Sequence, residues 1–266
     1  MINNTTSSLE QFYSDRGNTI GTPIIFIHGF PFDHSQWDKQ VAALPDRYRP
    51  IAYDIRGHGQ SEAGDGHYSL EFFVDDLFEL IDSLGLEKPV ICGLSMGGYI
   101  ALRALERRPW LAKGLILCDT RSEADSNEAK IKRAAVMKTI TEEGLEKYAE
   151  DSIKNLFWTG SIQSGLPEVQ RIKTIIEKTN KSALCGTLMA LAARTDTTEA
   201  LESIAIPALI IVGEHDAITP PIAAESLHER ISGSELVVIK NAGHLSNLEN
   251  PEDFNQAMLD FLEKMQ

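Results

Sequence analysis

The stretch from Pro89 to Arg107 constrains this chain more than any other. Pro89-Val90-Ile91-Cys92 is a short apolar run, the kind that makes a strand buried on both faces, and it runs into Gly93-Leu94-Ser95-Met96-Gly97-Gly98. Met96 then opens a helical pattern that continues to Arg107. A serine between strand and helix, with glycine two residues to either side, describes a very tight turn. The serine backbone is forced into a strained conformation that lifts its hydroxyl clear of the sheet. Side chains at 93 and 97 would collide with each other or with neighbouring strands, so both positions are glycine. Gly98 and Ala101 let the following helix approach the sheet closely. The Met96 N–H, at the helix N-terminus, points where negative charge would develop on a substrate oxygen.

Such a turn needs a parallel sheet around it. Strand-like runs recur at Ile24–His28, Pro50–Asp54, Pro89–Gly93, Gly114–Cys118, Ala208–Gly213 and Glu235–Lys240. Helical patterns lie between and after them at Trp37–Leu44, Leu70–Leu84, Met96–Arg107, Pro220–Arg230 and Pro251–Lys264. Ser69 and Asn250 read as N-caps, with Pro251 in the first helical position. Residues 9–20 are expected to form a leading strand or hairpin. From Arg121 to Ser203 no strand run occurs; helical patterns follow one another at Asn127–Ile140, Gly144–Leu156, Pro167–Thr179 and Ser182–Ala193. That is too long for a simple crossover. The expected architecture is α/β: a mostly parallel sheet flanked by helices (residues 1–120 and 203–266), with a helical cap (residues 121–202) inserted in it.

A serine hydroxyl becomes a nucleophile only with a base in reach, and the base needs an acid to orient it. After the run ending at Gly213 comes Glu214-His215-Asp216, and after the run ending near Lys240 comes Asn241-Ala242-Gly243-His244. Both follow the C-terminal ends of their strands, the sheet edge that also carries Ser95. Ser95 is therefore the expected nucleophile, His244 the base and Asp216 the acid. Asp119, at the end of Gly114–Cys118, is the competing acid; the Gly-x-x-Asp turn favours Asp216. His215 is expected at the rim or in a structural role, and His228 facing solvent from a helix. His28-Gly29-Phe30-Pro31 follows the first strong strand, and a turn there would bring the Phe30 N–H beside that of Met96 as a second oxyanion donor. His28 is assigned a structural hydrogen bond. The Gly-rich turn Asp54-Ile55-Arg56-Gly57-His58-Gly59-Gln60-Ser61 lacks the Walker lysine and the Rossmann glycine spacing, and is read as a brace for that loop.

These motifs, taken in this order along nearly the whole chain, resemble those of the α/β-hydrolases. The nearest resemblance is to small carboxylesterases and 3-oxoadipate enol-lactonases. Ser95 departs from dehalogenases and epoxide hydrolases, which have Asp at the elbow, and Met96 from proline iminopeptidases, which typically have Trp. The resemblance implies the α/β-hydrolase fold and acyl transfer to water without metal or organic cofactor. A small or medium carboxylic ester is the first expectation. A lactone, either an enol-lactone or a macrocycle such as a macrolide antibiotic, is the alternative. C–C bond hydrolysis or perhydrolysis comes next, and a non-catalytic binding role last. Phe157, Trp158, Leu188, Met189 and Leu191 are candidates to line the substrate pocket, although each serves equally well as glue between cap and core.

Charge bears on the partners. Lys and Arg number 25 against 39 Asp and Glu, a net charge of -14, which argues against nucleic acid because phosphates require a basic patch. The surplus acid favours solubility and is expected to disfavour strongly anionic substrates. No apolar stretch approaches the ~18–20 residues that span a bilayer. Met1–Glu10 is polar, without the basic start and apolar middle of a signal peptide, so a cytoplasmic location with no membrane partner is expected. The acceptor sites at Asn3 and Asn4 would matter only in a secretory pathway. Of the three cysteines, Cys92 and Cys118 fall inside strand runs and Cys185 lies far from both. A disulfide framework or zinc site is not expected, and the strand cysteines are read as buried thiols.

Overall fold

Alternation within each strand sends its side chains to two faces, and both faces are covered. The computed structural model describes residues 9–265, so Asn3 and Asn4 lie outside the described residues. Its strands are β1 (Tyr13–Asp15), β2 (Thr22–Ile27), β3 (Tyr48–Tyr53), β4 (Val90–Leu94), β5 (Gly114–Cys118), β6 (Ala208–Gly213) and β7 (Glu235–Ile239). They form one sheet in the order β1-β3-β2-β4-β5-β6-β7. The expected leading strand is the three-residue β1, antiparallel to β3; every other neighbouring pair is parallel.

The helices are α1 (Asp38–Ala43), α2 (Leu70–Ser83), α3 (Met96–Arg107), α4 (Asn127–Glu142), α5 (Leu145–Leu156), α6 (Thr159–Gln163), α7 (Pro167–Lys178), α8 (Lys181–Ala192), α9 (Pro221–Arg230), α10 (Ser246–Glu249) and α11 (Pro251–Lys264). Ser69 caps α2 by accepting from Phe72 N–H, and Asn250 caps α11 by accepting from Asp253 N–H. Two short helices were not legible in the periodicity. α6 has only five residues, and α10 spans four directly before α11.

Ile25 and Ile27 of β2 join the side chains of α2, α3 and α9 in one buried cluster, while Ile24 and Phe26 face the other side with Trp37 and the α11 residues Phe254, Met258 and Phe261. Each fully buried side chain of this size contributes roughly 1.5–3 kcal/mol through removal from water. β4, β5 and β6 are buried throughout, which explains their unbroken apolar sequences. β7 departs from that pattern because it is the sheet edge: Val238 is 46% exposed. Cys92 and Cys118 are buried on neighbouring strands, their sulfurs 3.9 Å apart.

Between β5 and β6 the chain makes α4 to α8 and a short 3-10 turn, with α4 packed on α8 and α5 on α7. Ile140, Tyr148, Ile153, Ile172, Ile176, Leu184 and Leu188 of these helices are buried in the same cluster as Trp37 and Phe254. Among the described residues no helix is long and apolar enough to cross a membrane.

Candidate active site

Ser95 joins β4 to α3 with φ 53° and ψ −113°, a combination an L-residue adopts only under constraint. Two neighbours hold it there. The Ser95 N–H donates to the Cys118 carbonyl at 2.9 Å, and the Thr120 hydroxyl donates to the Ser95 carbonyl at 2.8 Å. The glycines around it have specific obstacles. A Cβ on Gly93 would strike the Gly97 backbone, one on Gly97 the Ile27 carbonyl, and one on Gly98 the Thr120 side chain.

His244 sits in the loop after β7. Its Nδ1 lies 2.8 Å from Asp216 Oδ2 and 3.2 Å from Thr219 Oγ1. A carboxylate only accepts, so Nδ1 carries the proton and Nε2 presents a lone pair. Asp216 is fixed in turn: the N–H groups of Ile218 and Thr219 donate to Oδ1 at 2.8 and 2.9 Å, and the Thr219 hydroxyl to Oδ2 at 2.7 Å. Burial alone would raise the Asp216 pKa, but the neighbouring His244 and these hydrogen bonds outweigh it and hold the carboxyl below its usual range. Asp119 is also buried but is committed elsewhere. Gly213 N–H donates to its Oδ1 at 2.8 Å and Ser246 Oγ to its Oδ2 at 2.5 Å. Burial, reinforced by the Asp216 charge, pushes the Asp119 pKa well up.

The loop carrying Phe30 is held from below. His28 Nε2 accepts from Ile55 N–H at 3.0 Å, so Nδ1 bears the proton donated to the Gly29 carbonyl at 2.8 Å. Burial, only partly offset by Asp54, lowers the His28 pKa and favours the neutral ring. Gly29 N–H donates to Gln36 Oε1 at 2.9 Å. Asp54 accepts from His34 N–H at 2.6 Å and Gln60 N–H at 2.8 Å, so the Gly-rich turn and the loop behind Phe30 share one carboxylate. Ser95, His244, Phe30 and Met96 line a single cavity of about 490 Å³. Neither the Phe30 nor the Met96 N–H has a hydrogen-bond acceptor among the described residues.

The sequence profile of the alpha/beta hydrolase family matches residues 24–257. The chain belongs to that family. Over 92% of its length it is 29% identical to 3-oxoadipate enol-lactonase 2 of Acinetobacter baylyi, 90% of which is covered. Among solved structures, a thermophilic esterase from Thermogutta terrifontis with malate bound superposes with a TM-score of 0.93 and 36% identity, covering 99% of this chain and 96% of that one. The enol-lactonase of Burkholderia xenovorans superposes with a TM-score of 0.89 at 30% identity, covering 96% of this chain and 97% of that one.

In this α/β-hydrolase the five candidate pocket residues part company. Leu188 and Leu191 line the cavity with Ser95. Phe157, Trp158 and Met189 do not. Phe157 is buried in the apolar cluster beneath the helices, and Met189 is 58% exposed. Met189 is one residue on from Leu188, about 100° around the helix, and so faces away. Trp158 stacks on His215 with ring centroids 5.1 Å apart, which places His215 in a structural contact. His228 is exposed on α9, with Nδ1 2.9 Å from Ser234 Oγ.

The site also contains residues that sequence reasoning passed over. Thr219 has just been described. Glu249 accepts from Gly243 N–H at 2.7 Å and from Trp158 N–H at 2.8 Å, and His244 N–H donates to the Leu156 carbonyl at 3.0 Å. Arg121, Lys132, Arg133 and Arg194 line the cavity with one carboxylate, Asp125. The cavity wall is thus basic although the chain as a whole is acidic. Ala129, Lys132, Arg133 and Val136 recur at helical spacing on α4, a signal that could have marked one cavity-facing stripe. Among the described residues no group of three or more His, Cys, Asp or Glu is placed to hold a metal ion.

Proposed function

We propose that Ser95, His244 and Asp216 form a nucleophile–base–acid relay that hydrolyses a carboxylic ester through an acyl-enzyme. The observation that carries this reading is the strained Ser95 in one cavity with His244, whose Nδ1 is 2.8 Å from Asp216. His244 Nε2 takes the Ser95 proton as Oγ attacks the carbonyl carbon. The N–H groups of Phe30 and Met96 receive the oxyanion, a contribution of about 100-fold or more in rate per donor. As the carbonyl re-forms, the alcohol leaves with the proton from His244. Water then gives a proton to the same imidazole as its oxygen bonds the acyl carbon; the bond to Ser95 Oγ breaks, the acid leaves and His244 returns the proton to Oγ. Asp216 stays ionised and keeps the ring in the Nδ1–H form. Residues 121–202 act as a cap over the core formed by residues 1–120 and 203–266. Leu188 and Leu191 are the apolar pair that its last helix adds to the substrate pocket, beside Arg121, Lys132, Arg133 and Arg194.

The test is hydrolysis of p-nitrophenyl esters from acetyl to decanoyl by the wild type and by Ser95→Ala. The wild type is expected to turn over, with a chain-length optimum that sizes the pocket. Ser95→Ala is expected to lose about 10³-fold or more. Turnover that survives in Ser95→Ala overturns the relay.

A lactone is the second reading, favoured by the likeness to enol-lactonases over nine-tenths of the chain. The same groups would open the ring, and the leaving alcohol would stay attached to the acyl chain. A kcat/KM for small lactones well above that for open-chain esters of equal size would decide for it.

A further inference from the structure

The turn after β6 gives Asp216 more donors than orienting a histidine requires. Its Oδ1 accepts from the N–H groups of Ile218 and Thr219, and its Oδ2 from the Thr219 hydroxyl at 2.7 Å and from His244 Nδ1 at 2.8 Å. Four donors thus meet the roughly four lone-pair sites of one carboxylate. Thr219 supplies two of them, one from its backbone and one from its side chain. The same hydroxyl oxygen lies 3.2 Å from His244 Nδ1, so Nδ1, Oδ2 and Oγ1 are mutual neighbours. Asp216, Thr219 and His244 are each at most 3% exposed, so bulk water is not at hand to replace any of these contacts.

The local sequence fixes where that hydroxyl stands. Thr219 precedes Pro220, and a proline ring disfavours helical backbone in the residue before it. The Thr219 N–H is anchored on Asp216 Oδ1. A β-branched side chain has few χ1 rotamers, so with the backbone settled the oxygen has little freedom. The direction of each hydrogen then follows. An ionised carboxylate only accepts, so the Thr219 hydrogen points to Oδ2, and the Nδ1 hydrogen points between Oδ2 and Oγ1. A hydroxyl that donates to a carboxylate is polarised, which makes its oxygen a better acceptor. That acceptor matters most when both nitrogens of His244 carry protons, the charged state through which proton transfer passes.

We propose that Thr219 is a positioning residue whose hydroxyl joins Asp216 to the Nδ1 edge of His244 and keeps Nε2 turned toward Ser95. The hydroxyl touches no substrate and moves no proton. It acts through the ring, and its contribution falls on the charged imidazole, not on substrate binding. This rests on the hydrolase reading of the same residues and adds a fourth side chain to it.

Thr219→Val tests this, because valine keeps the branched shape and the backbone N–H but has no hydroxyl. Turnover of p-nitrophenyl butyrate is expected to lose about tenfold or more in kcat, with KM changed by less than about twofold. Thr219→Ser returns the hydroxyl and is expected to recover most of that loss. Thr219→Ala, without a methyl pressed against the carboxylate, guards against misfolding and is expected to behave as Thr219→Val. The second readout needs no substrate: the Nδ1 proton of His244 in the resting protein, seen by proton NMR and identified by its absence in His244→Asn. Its resonance is expected to shift and to exchange faster with water in Thr219→Val, and to return in Thr219→Ser. A hydroxyl that only fills a buried acceptor would lower the urea midpoint of Thr219→Val and leave this resonance in place. If the resonance does not move, the proposal is overturned whatever the rate does. A loss carried by KM, or one that serine does not recover, overturns it too. If the wild type and Thr219→Val cleave the ester alike, the positioning role falls and the hydrolase reading stands. If the wild type cleaves no ester but the resonance moves with valine and returns with serine, the positioning contact stands and the hydrolase reading falls.

Discussion

Glu249 and Trp158 are joined by a 2.8 Å hydrogen bond from the Trp158 N–H to Oε2, while Oε1 of the same carboxylate accepts from Gly243, next to His244. One side chain thus ties the loop bearing the candidate base to the junction between α5 and α6. Glu249→Gln keeps its shape but has one acceptor oxygen for two N–H groups, leaving one N–H facing an amide. The expected cost is about 1–3 kcal/mol in urea unfolding. Because the loss sits beside His244, kcat is expected to fall by about tenfold while KM changes less.

The two buried aspartates near His244 are expected to separate cleanly by substitution. Asp216→Asn removes the carboxylate that fixes the imidazole, and kcat is expected to fall by about 10²–10⁴. Asp119→Asn keeps an acceptor for Gly213 or Ser246 and leaves the His244–Asp216 contact in place, so a loss under about tenfold is expected. Steady-state hydrolysis of one chromogenic ester decides; equal losses would reopen the choice of acid.

Gly97 lies against the Ile27 carbonyl, which belongs to the strand and has no room to withdraw. Gly97→Ala is expected to cost about 1–3 kcal/mol by overpacking and to displace the Ser95 turn. Thermal unfolding and ester turnover should fall together.

The His34–Asp54 pair makes a pH prediction. The hydrogen bond to Asp54, against the cost of partial burial, raises the His34 pKa above its ordinary value of 6.5. A raised folded-state value means that the stabilisation is complete below 6.5 and is lost as pH rises through the higher folded value. Tm is expected to decline over that interval more steeply in the wild type than in His34→Asn. Parallel curves would show that the pair contributes nothing measurable.

The backbone frame was legible where one constraint acts locally. β5, β6, α3 and α11 fall at the bounds read from the sequence, because apolar runs and caps specify them without reference to anything distant. The turn at Ser95 was legible for the same reason: three glycines answer to three backbone or side-chain obstacles. The cavity wall was not. Phe157 and Trp158 follow α5 in extended backbone, and their directions are set by α10 and the loop after β6, far away in sequence. Leu188 and Met189 are equally apolar neighbours, and only the packing of α8 against α4 decides which one turns inward. Net charge was silent on the cavity for a related reason. A sum over the chain carries no information about which four bases share one cavity.

The grip of Cys118 and Thr120 on Ser95 makes the turn a property of two strands, not one. Its amide is held by the last residue of β5, its carbonyl by the hydroxyl two residues further on, and that threonine also fills the space denied to a side chain at Gly98. A designer who grafted residues 90–98 onto a foreign parallel sheet would carry over the letters of the motif but leave its clamp behind. The transplantable part is the pair of strand ends, residues 90–98 together with residues 114–120.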